Sequence, residues 1–226
     1  MKALLFGSVG SIIETSELQR EAFNEAFVKH DLDWRWEQED YRAMLASSGG
    51  NDRIERYANE QGITVDSKAV HATKTSVFVQ LLRERQPSLR DGVLSSLNRA
   101  REAHMTTGLI STTADETISA LLDLDDGILR SLLDVTTSAN DGFAQKPSPE
   151  AYSATFDRLQ IKPIEALVVE DNEAGLEAAR SAGAHVIAYL GENTLNHDTS
   201  GLRWIAEKDL FPIVSSVLQA DQQRSA

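Results

Sequence analysis

Four short stretches hold the side chains with chemistry to offer. They read Phe6-Gly7-Ser8-Val9-Gly10-Ser11, Ile110-Ser111-Thr112-Thr113, Gln145-Lys146-Pro147-Ser148-Pro149-Glu150 and Val169-Glu170-Asp171-Asn172-Glu173-Ala174-Gly175. Each comes after a predicted strand, and in an open parallel sheet ligands bind beyond the carboxyl ends of the strands. Hydroxyls, one lysine and two adjacent carboxylates gathered there have the chemistry to meet an anion or a divalent metal. Three of the four stretches also have a local structural account. Ser148 is a natural N-cap with Pro149 in the first helical turn, Glu170 and Asp171 would serve to cap the helix that follows, and Ser111 and Thr112 would serve to start a helix near Ala114.

The elements that must position these residues are legible in the pattern of apolar residues. Lys2 to Phe6 is a short apolar run stopping at Gly7 and Gly10, as a buried parallel strand would. Ser16-Glu17-Leu18-Gln19 has capping-box spacing, and Leu18, Ala22, Phe23, Ala26 and Phe27 form the stripe of a helix over 16–29. Further helical patterns cover 37–46, 51–61 and 66–85, broken at 31–33, 47–50 and Gly62, with no strand among them. A helix over 91–103 then precedes strands at 107–111, 132–136, 166–170 and 185–190, with helices between. This alternation predicts an α/β fold: a Rossmann-like three-layer parallel sheet with helices on both faces. A structureless loop of about seventy residues is implausible, so residues 14–86 are expected to fold as an all-helical cap inserted in a core of 1–13 and 87–226. Trp34, Trp36 and Phe78 are expected to pack that cap, His71 and His104 to lie at the surface or in packing, and Gln219 to Ala226 to form a polar tail.

Composition narrows the function. A net charge of -13 over 226 residues repels nucleic acid and anionic membranes. It also opposes an anionic substrate, so a phosphate site must concentrate positive charge or a metal ion. With no cysteine, disulfides, thiolate metal sites and cysteine nucleophiles are excluded. The apolar start at Ala3 to Phe6 is too short for a signal-peptide core, and no stretch approaches the roughly 18 apolar residues of a membrane span. A cytoplasmic protein is expected, with neither nucleic acid nor membrane as partner.

In their order, the four stretches resemble the motifs of the haloacid dehalogenase superfamily. Glu14-Thr15, Ala22-Phe23-Asn24, Leu32-Asp33-Trp34-Arg35-Trp36 and Gly49-Gly50-Asn51-Asp52-Arg53-Ile54 resemble its CbbY branch, sugar-phosphate phosphatases related to β-phosphoglucomutase. The resemblance implies a first loop of the form Asp-x-Asp-Gly-Thr, whose first aspartate attacks phosphorus and whose second protonates the leaving oxygen and activates water. Gly7 and Val9 hold those positions here, while Gly10 and Ser11 keep the loop's outline. By the same resemblance Ser111, Thr112 and Lys146 bind phosphate, Glu170 and Asp171 hold or orient Mg2+ with Asn172 assisting, and Arg53 meets a substrate phosphate. Asn51 replaces a usual lysine, which bears on bisphosphate recognition. Gln19 replaces a usual cap histidine, and the capping box accounts for it without a functional role.

The chemical consequence follows from the missing groups. Without a carboxylate at position 7 no phosphoaspartate forms there, and Mg2+ binding is weakened by one ligand. Loss of an acid/base group costs about a further 100- to 10,000-fold. Ser8 is a poor substitute, because alternation along an extended segment points it away from position 7's face. The expectation is a catalytically degenerate hydrolase-family protein that binds a small phosphorylated metabolite. Two alternatives stand beside it: an active phosphatase of small phosphate esters using metal-activated water at Glu170 and Asp171, and a regulatory or interaction protein without a ligand. The protein partner is not identified by the sequence.

Overall fold

The computed structural model describes residues 1–45 and 49–225. The predicted helix end at Ala46, the predicted break at Ser47 and Ser48, and the last tail residue Ala226 lie outside the described residues. In chain order the elements are β1 (Ala3–Phe6), α1 (Ser16–Lys29), α2 (Gln38–Met44), α3 (Gly50–Gln61), α4 (Ser67–Arg85), α5 (Val93–Glu102), β2 (Thr106–Ile110), α6 (Asp115–Leu122), α7 (Ile128–Leu132), β3 (Val135–Thr137), α8 (Glu150–Leu159), β4 (Ala166–Glu170), α9 (Glu173–Ser181), β5 (His185–Ala188), β6 (Trp204–Ile205) and α10 (Phe211–Ser225).

The strands form one sheet in the order β3-β2-β1-β4-β5-β6, every neighbouring pair parallel. β1 and β4 are buried at every residue, which is why each reads as a continuous apolar run and not as an alternation. Side chains still alternate between the two faces. Leu4, Phe6, Leu167 and Val169 pack toward α5, α6 and α10, whereas Ala3, Leu5, Ala166 and Val168 pack toward α8 and α9. Each fully buried leucine or valine contributes about 1.5–3 kcal/mol relative to exposure, so the centre of this sheet is its most rigid part. The β1–β4 ladder continues one residue further, where the Gly7 amide donates to the Val169 carbonyl at 2.9 Å. That bond sets Gly7 beside the start of the Glu170-Asp171 turn.

Between β1 and α5 stand only helices among the described residues, and they build a cluster of their own from Phe23, Phe27, Trp34, Trp36, Tyr41, Ile54 and Val70. Trp36 lies with its ring centroid 4.8 Å from Phe23 and 4.7 Å from Phe27, the tilted and edge-on arrangements that favour aromatic pairs by about 0.5–1.5 kcal/mol each. α4 belongs to two clusters: Val70 faces the aromatic rings, and Val77, Phe78, Leu81 and Leu82 reach the sheet-covering core. Phe78, expected to pack the cap, is therefore a core residue.

Three local expectations are corrected, and one element was not expected at all. The third strand begins at Val135 and not Leu132, because 128–132 coil into α7 first. Ser16 makes no capping box; Thr15 precedes the helix, and the Ser16 amide and hydroxyl both donate to Glu14 Oε1. The tail is helical through Ser225 as part of α10. β6, two residues long, carries no pattern long enough to be read in advance. No helix among the described residues is long and apolar enough to cross a membrane.

Candidate functional site: a loop without carboxylates, closed over a buried ion pair

The loop after β1 turns at once into a single 3-10 turn over 9–11. The Ser8 hydroxyl accepts from the Ser11 amide at 3.1 Å, and the Ser11 hydroxyl returns a bond to the Ser8 carbonyl at 2.7 Å. Val9 is buried in the apolar cluster with Ile12, Ile13 and Phe6. Ser8, expected to point away from position 7's face, donates its hydroxyl to Asp171 Oδ1 at 2.6 Å, whereas a side chain at Gly7 would meet Tyr152 and Glu170. The hydroxyl is thus held as a local cap with its proton on a carboxylate.

Gly7 is where the geometry departs most from a working nucleophile loop. A methyl group placed on its Cα would overlap the Tyr152 hydroxyl and the Glu170 carboxylate, well inside van der Waals contact. The space is filled by a buried network. Lys146 Nζ donates to Glu170 Oε1 at 2.6 Å, to the Ile110 carbonyl at 2.9 Å, to the Tyr152 hydroxyl at 3.0 Å and to the Gly7 carbonyl. Tyr152 in turn donates to Glu170 Oε1 at 2.7 Å. Lys146 is 8 % exposed and Glu170 0 %, so this is an ion pair removed from water. Burial pushes the Glu170 carboxyl up, with the Lys146 ammonium and the Tyr152 hydrogen bond pulling the other way. Burial first, then the Glu170 charge, pushes the Tyr152 phenol far above its ordinary range.

An ammonium carries three protons, and four protein oxygens surround this one, so its donors are committed. The other expected phosphate ligands are also engaged. The Ser111 amide donates to Thr137 Oγ1 at 3.0 Å and its hydroxyl accepts from the Thr113 amide, while the Thr112 hydroxyl donates to Gln145 Oε1 at 2.8 Å. The structure brings Ser111, Thr112 and Lys146 to the carboxyl edge of the sheet, where Thr112 and Lys146 would have to exchange an internal partner for a ligand, whereas the Ser111 hydroxyl only accepts and keeps its proton for one.

Three of the four oxygens of the carboxylates expected to hold Mg2+ already accept hydrogen bonds. Glu170 Oε1 faces Lys146 and Tyr152, and Oε2 accepts from the Asp171 amide at 3.3 Å. Asp171 Oδ1 accepts from Ser8 and from Asn172, and Oδ2 lies against Gly10. Among the described residues no group of three His, Cys, Asp or Glu side chains is placed to hold a metal ion. A hard cation asking for six oxygens does not fit a pair whose oxygens already serve an ammonium, a phenol and a hydroxyl. The cap of α9 falls to Asn172, whose Oδ1 accepts from Gly175, and not to Asp171. At α8 the N-cap is Pro149, one residue later than Ser148.

A second polar group lies in the helical insertion. Arg53, 6 % exposed, stands 5.5 Å from the Tyr41 ring and 5.9 Å from the Phe23 ring, and its Nε donates to the Met44 carbonyl. Lys74, 7 % exposed, stands 4.9 Å from both Phe23 and Phe78 and donates to Gln19 Oε1 at 3.0 Å. Gln19 therefore has a structural partner beyond any capping role. Burial, with the nearby Arg53 charge, lowers the Lys74 ammonium to about 7; burial, Lys74 and Arg53 together lower His71 to about 4. Sequence reasoning named Arg53 and missed Lys74 and Tyr152. The signal for Lys74 was there, since it follows Val70 by four residues and precedes Val77 and Phe78 by three and four, on the buried stripe of α4. A groove of about 890 Å³ runs along α4, lined by Asn51, His71, Thr75, Val79, Arg83 and Glu116 among others, and neither Gly7, Lys146 nor Glu170 lines it.

Comparison with known proteins agrees with this architecture. The family model described as haloacid dehalogenase-like hydrolase matches residues 9–189. The protein CbbY of Rhodobacter capsulatus is 33% identical over 208 residues, covering 90% of this chain and 92% of its own. A fructose-1-phosphate phosphatase of Escherichia coli is 28% identical over 187 residues, covering 81% and 94%. The crystal structure of CbbY from Rhodobacter sphaeroides in complex with phosphate superposes with a TM-score of 0.85 at 32% identity, covering 92% of this chain and 94% of that one. The chain belongs to the haloacid dehalogenase-like hydrolases, in their CbbY and β-phosphoglucomutase-like branch.

Proposed function

We propose that this chain is a catalytically degenerate member of its family that binds a small phosphorylated metabolite without hydrolysing it, with residues 14–86 acting as the cap over a core of 1–13 and 87–226. The observation that carries the loss of chemistry is Gly7, which has no side-chain oxygen and whose would-be side-chain space is taken by Tyr152 and Glu170. A phosphoryl group needs an attacking oxygen in line, and no positioning of the substrate supplies one. Binding is supported by Arg53 and Lys74, two buried cations of the helical insertion in a protein of net charge -13. Both would gain from an anion that replaces water they have already given up. Ser111 and Thr112 are the groups on the core side that would face it.

An active phosphatase using metal-activated water is the reading to defeat, and the committed oxygens of Glu170 and Asp171 weigh against it. Phosphate release is the test, measured over a panel of sugar phosphates with Mg2+ present. Turnover above about 0.1 per second, near the low end for ordinary enzymes, defeats the proposal. Ligand binding is tested separately by thermal shift with the same panel. A ligand at a hundred times its dissociation constant should add about 2.7 kcal/mol, and no shift with any of them would favour a protein that works without a ligand.

A further inference from the structure

We infer that the Tyr152 hydroxyl is the group that closes this pocket to divalent metal, by holding Lys146 and Glu170 together in the space a side chain at position 7 would need. The inference rests on the same degenerate first loop as the reading above, but concerns metal exclusion and not turnover. Losing an aspartate would, by itself, leave a gap and a weakened cation site. The structure has no such gap. The phenol oxygen bonds both members of the ion pair, at 3.0 Å to Lys146 Nζ and 2.7 Å to Glu170 Oε1, and its ring lies 4.6 Å from the Lys146 ammonium.

The geometry makes three residues interdependent. Tyr152 stands six residues after Lys146, on the face of α8 that packs against β1 and β4 through Ala151 and Phe156, and its ring is fully buried there. Its hydroxyl therefore ends beneath Gly7, where any Cβ would collide with it. With the phenol in place, Glu170 Oε1 has two donors and Lys146 has its acceptors, and the positive charge that balances Glu170 is the ammonium. A divalent cation entering here would meet that ammonium as a like charge at close range and would have to take Glu170 from it. Restoring one carboxylate at position 7 would supply a counter-charge to that ammonium, but its side chain would still need the space that the Tyr152 hydroxyl fills beside Glu170.

The test is Mg2+ titration by calorimetry in the absence of substrate, so that its result is independent of whether phosphate release is ever seen. Wild type and Gly7→Asp should show no saturable binding at millimolar Mg2+. Gly7→Asp combined with Tyr152→Phe, which deletes the hydroxyl and keeps the ring, should bind saturably in that range, about tenfold or more tighter than the limit set by Gly7→Asp alone. Saturable binding by wild type, equal affinity of the single and the double variant, or no binding by the double variant would each overturn the inference. Should the aspartate variants not fold, a cycle of Gly7→Ala with Tyr152→Phe decides the matter by denaturation. The cost of the methyl group should be clearly smaller once Tyr152→Phe has removed the hydroxyl, and strict additivity overturns the inference.

Discussion

Lys74 shows how far a single side chain can depart from its ordinary chemistry when its neighbours leave it no counter-charge. The groups around it are Arg53 on α3, His71 on its own helix, and the neutral Gln19 and the aromatic rings of Phe23 and Phe78. A lysine is protonated up to 10.5 in the unfolded chain and here only to about 7. Between those values the unfolded state holds the extra proton, so stability rises as pH climbs from about 7 toward 10.5, and the penalty of the buried charge is fully present below 7. Lys74→Met should flatten that rise, a change on the order of a few kcal/mol in urea denaturation carried out across this pH range. A phosphorylated ligand would hold the ammonium charged, so its affinity should fall as pH rises above about 7 in wild type and lose that dependence in the variant. A wild-type stability curve without slope over this interval would contradict the assignment.

Among the elements, the connection between insertion and core is carried by a few side chains with specific partners. Asn193, 1 % exposed in the loop after β5, donates to Glu17 Oε1 at 2.7 Å, and its Oδ1 accepts from Arg42 at 3.2 Å, joining α1 and α2 to the sheet side of the molecule. Asn193→Ala removes both bonds and should cost about 0.5–1.5 kcal/mol, since the partly exposed Glu17 keeps its Arg20 partner. Hydrogen exchange should quicken in α1 and α2 and stay unchanged in β1 and β4; uniform quickening would show that the contact supports the whole fold. These contacts were not legible in the sequence, because they join residues more than 150 positions apart with no periodic signal. The strands that hold the candidate site were legible, since 3–6 and 166–169 are apolar runs that a buried parallel sheet requires. The absence of carboxylates at Gly7 and Val9 was legible too. What filled their place was not: Tyr152 reads as one more apolar position on the stripe of α8, and only the packing of that helix aims its hydroxyl at Gly7. The start of the third strand was misplaced at Leu132 for a related reason, since the Leu132-Leu133 pair fits a strand or a buried helical turn equally well.

At the scale of the whole molecule the surplus of acidic side chains sets the conditions of any encounter. A net charge of -13 repels a phosphorylated ligand until it reaches the local field of Arg53 and Lys74. Added salt screens that repulsion, so the association rate of such a ligand, followed by stopped-flow, should increase with ionic strength up to roughly 0.15 M, where the Debye length is about 8 Å. A rate that falls with salt would mean that local positive charge dominates the approach. The two chain crossings that lead into and out of the insertion also meet at one place. The Arg90 amide donates to the Ile12 carbonyl at 2.8 Å, and its guanidinium, stacked 3.5 Å above the Tyr189 ring, donates to the carbonyls of Gly10, Tyr189 and Leu190. One side chain thus fastens the exit segment to the very loop that lost its carboxylates. A displacement of the exit segment at Arg90 would therefore have to carry Gly10 and Ile12 with it or give up their bonds.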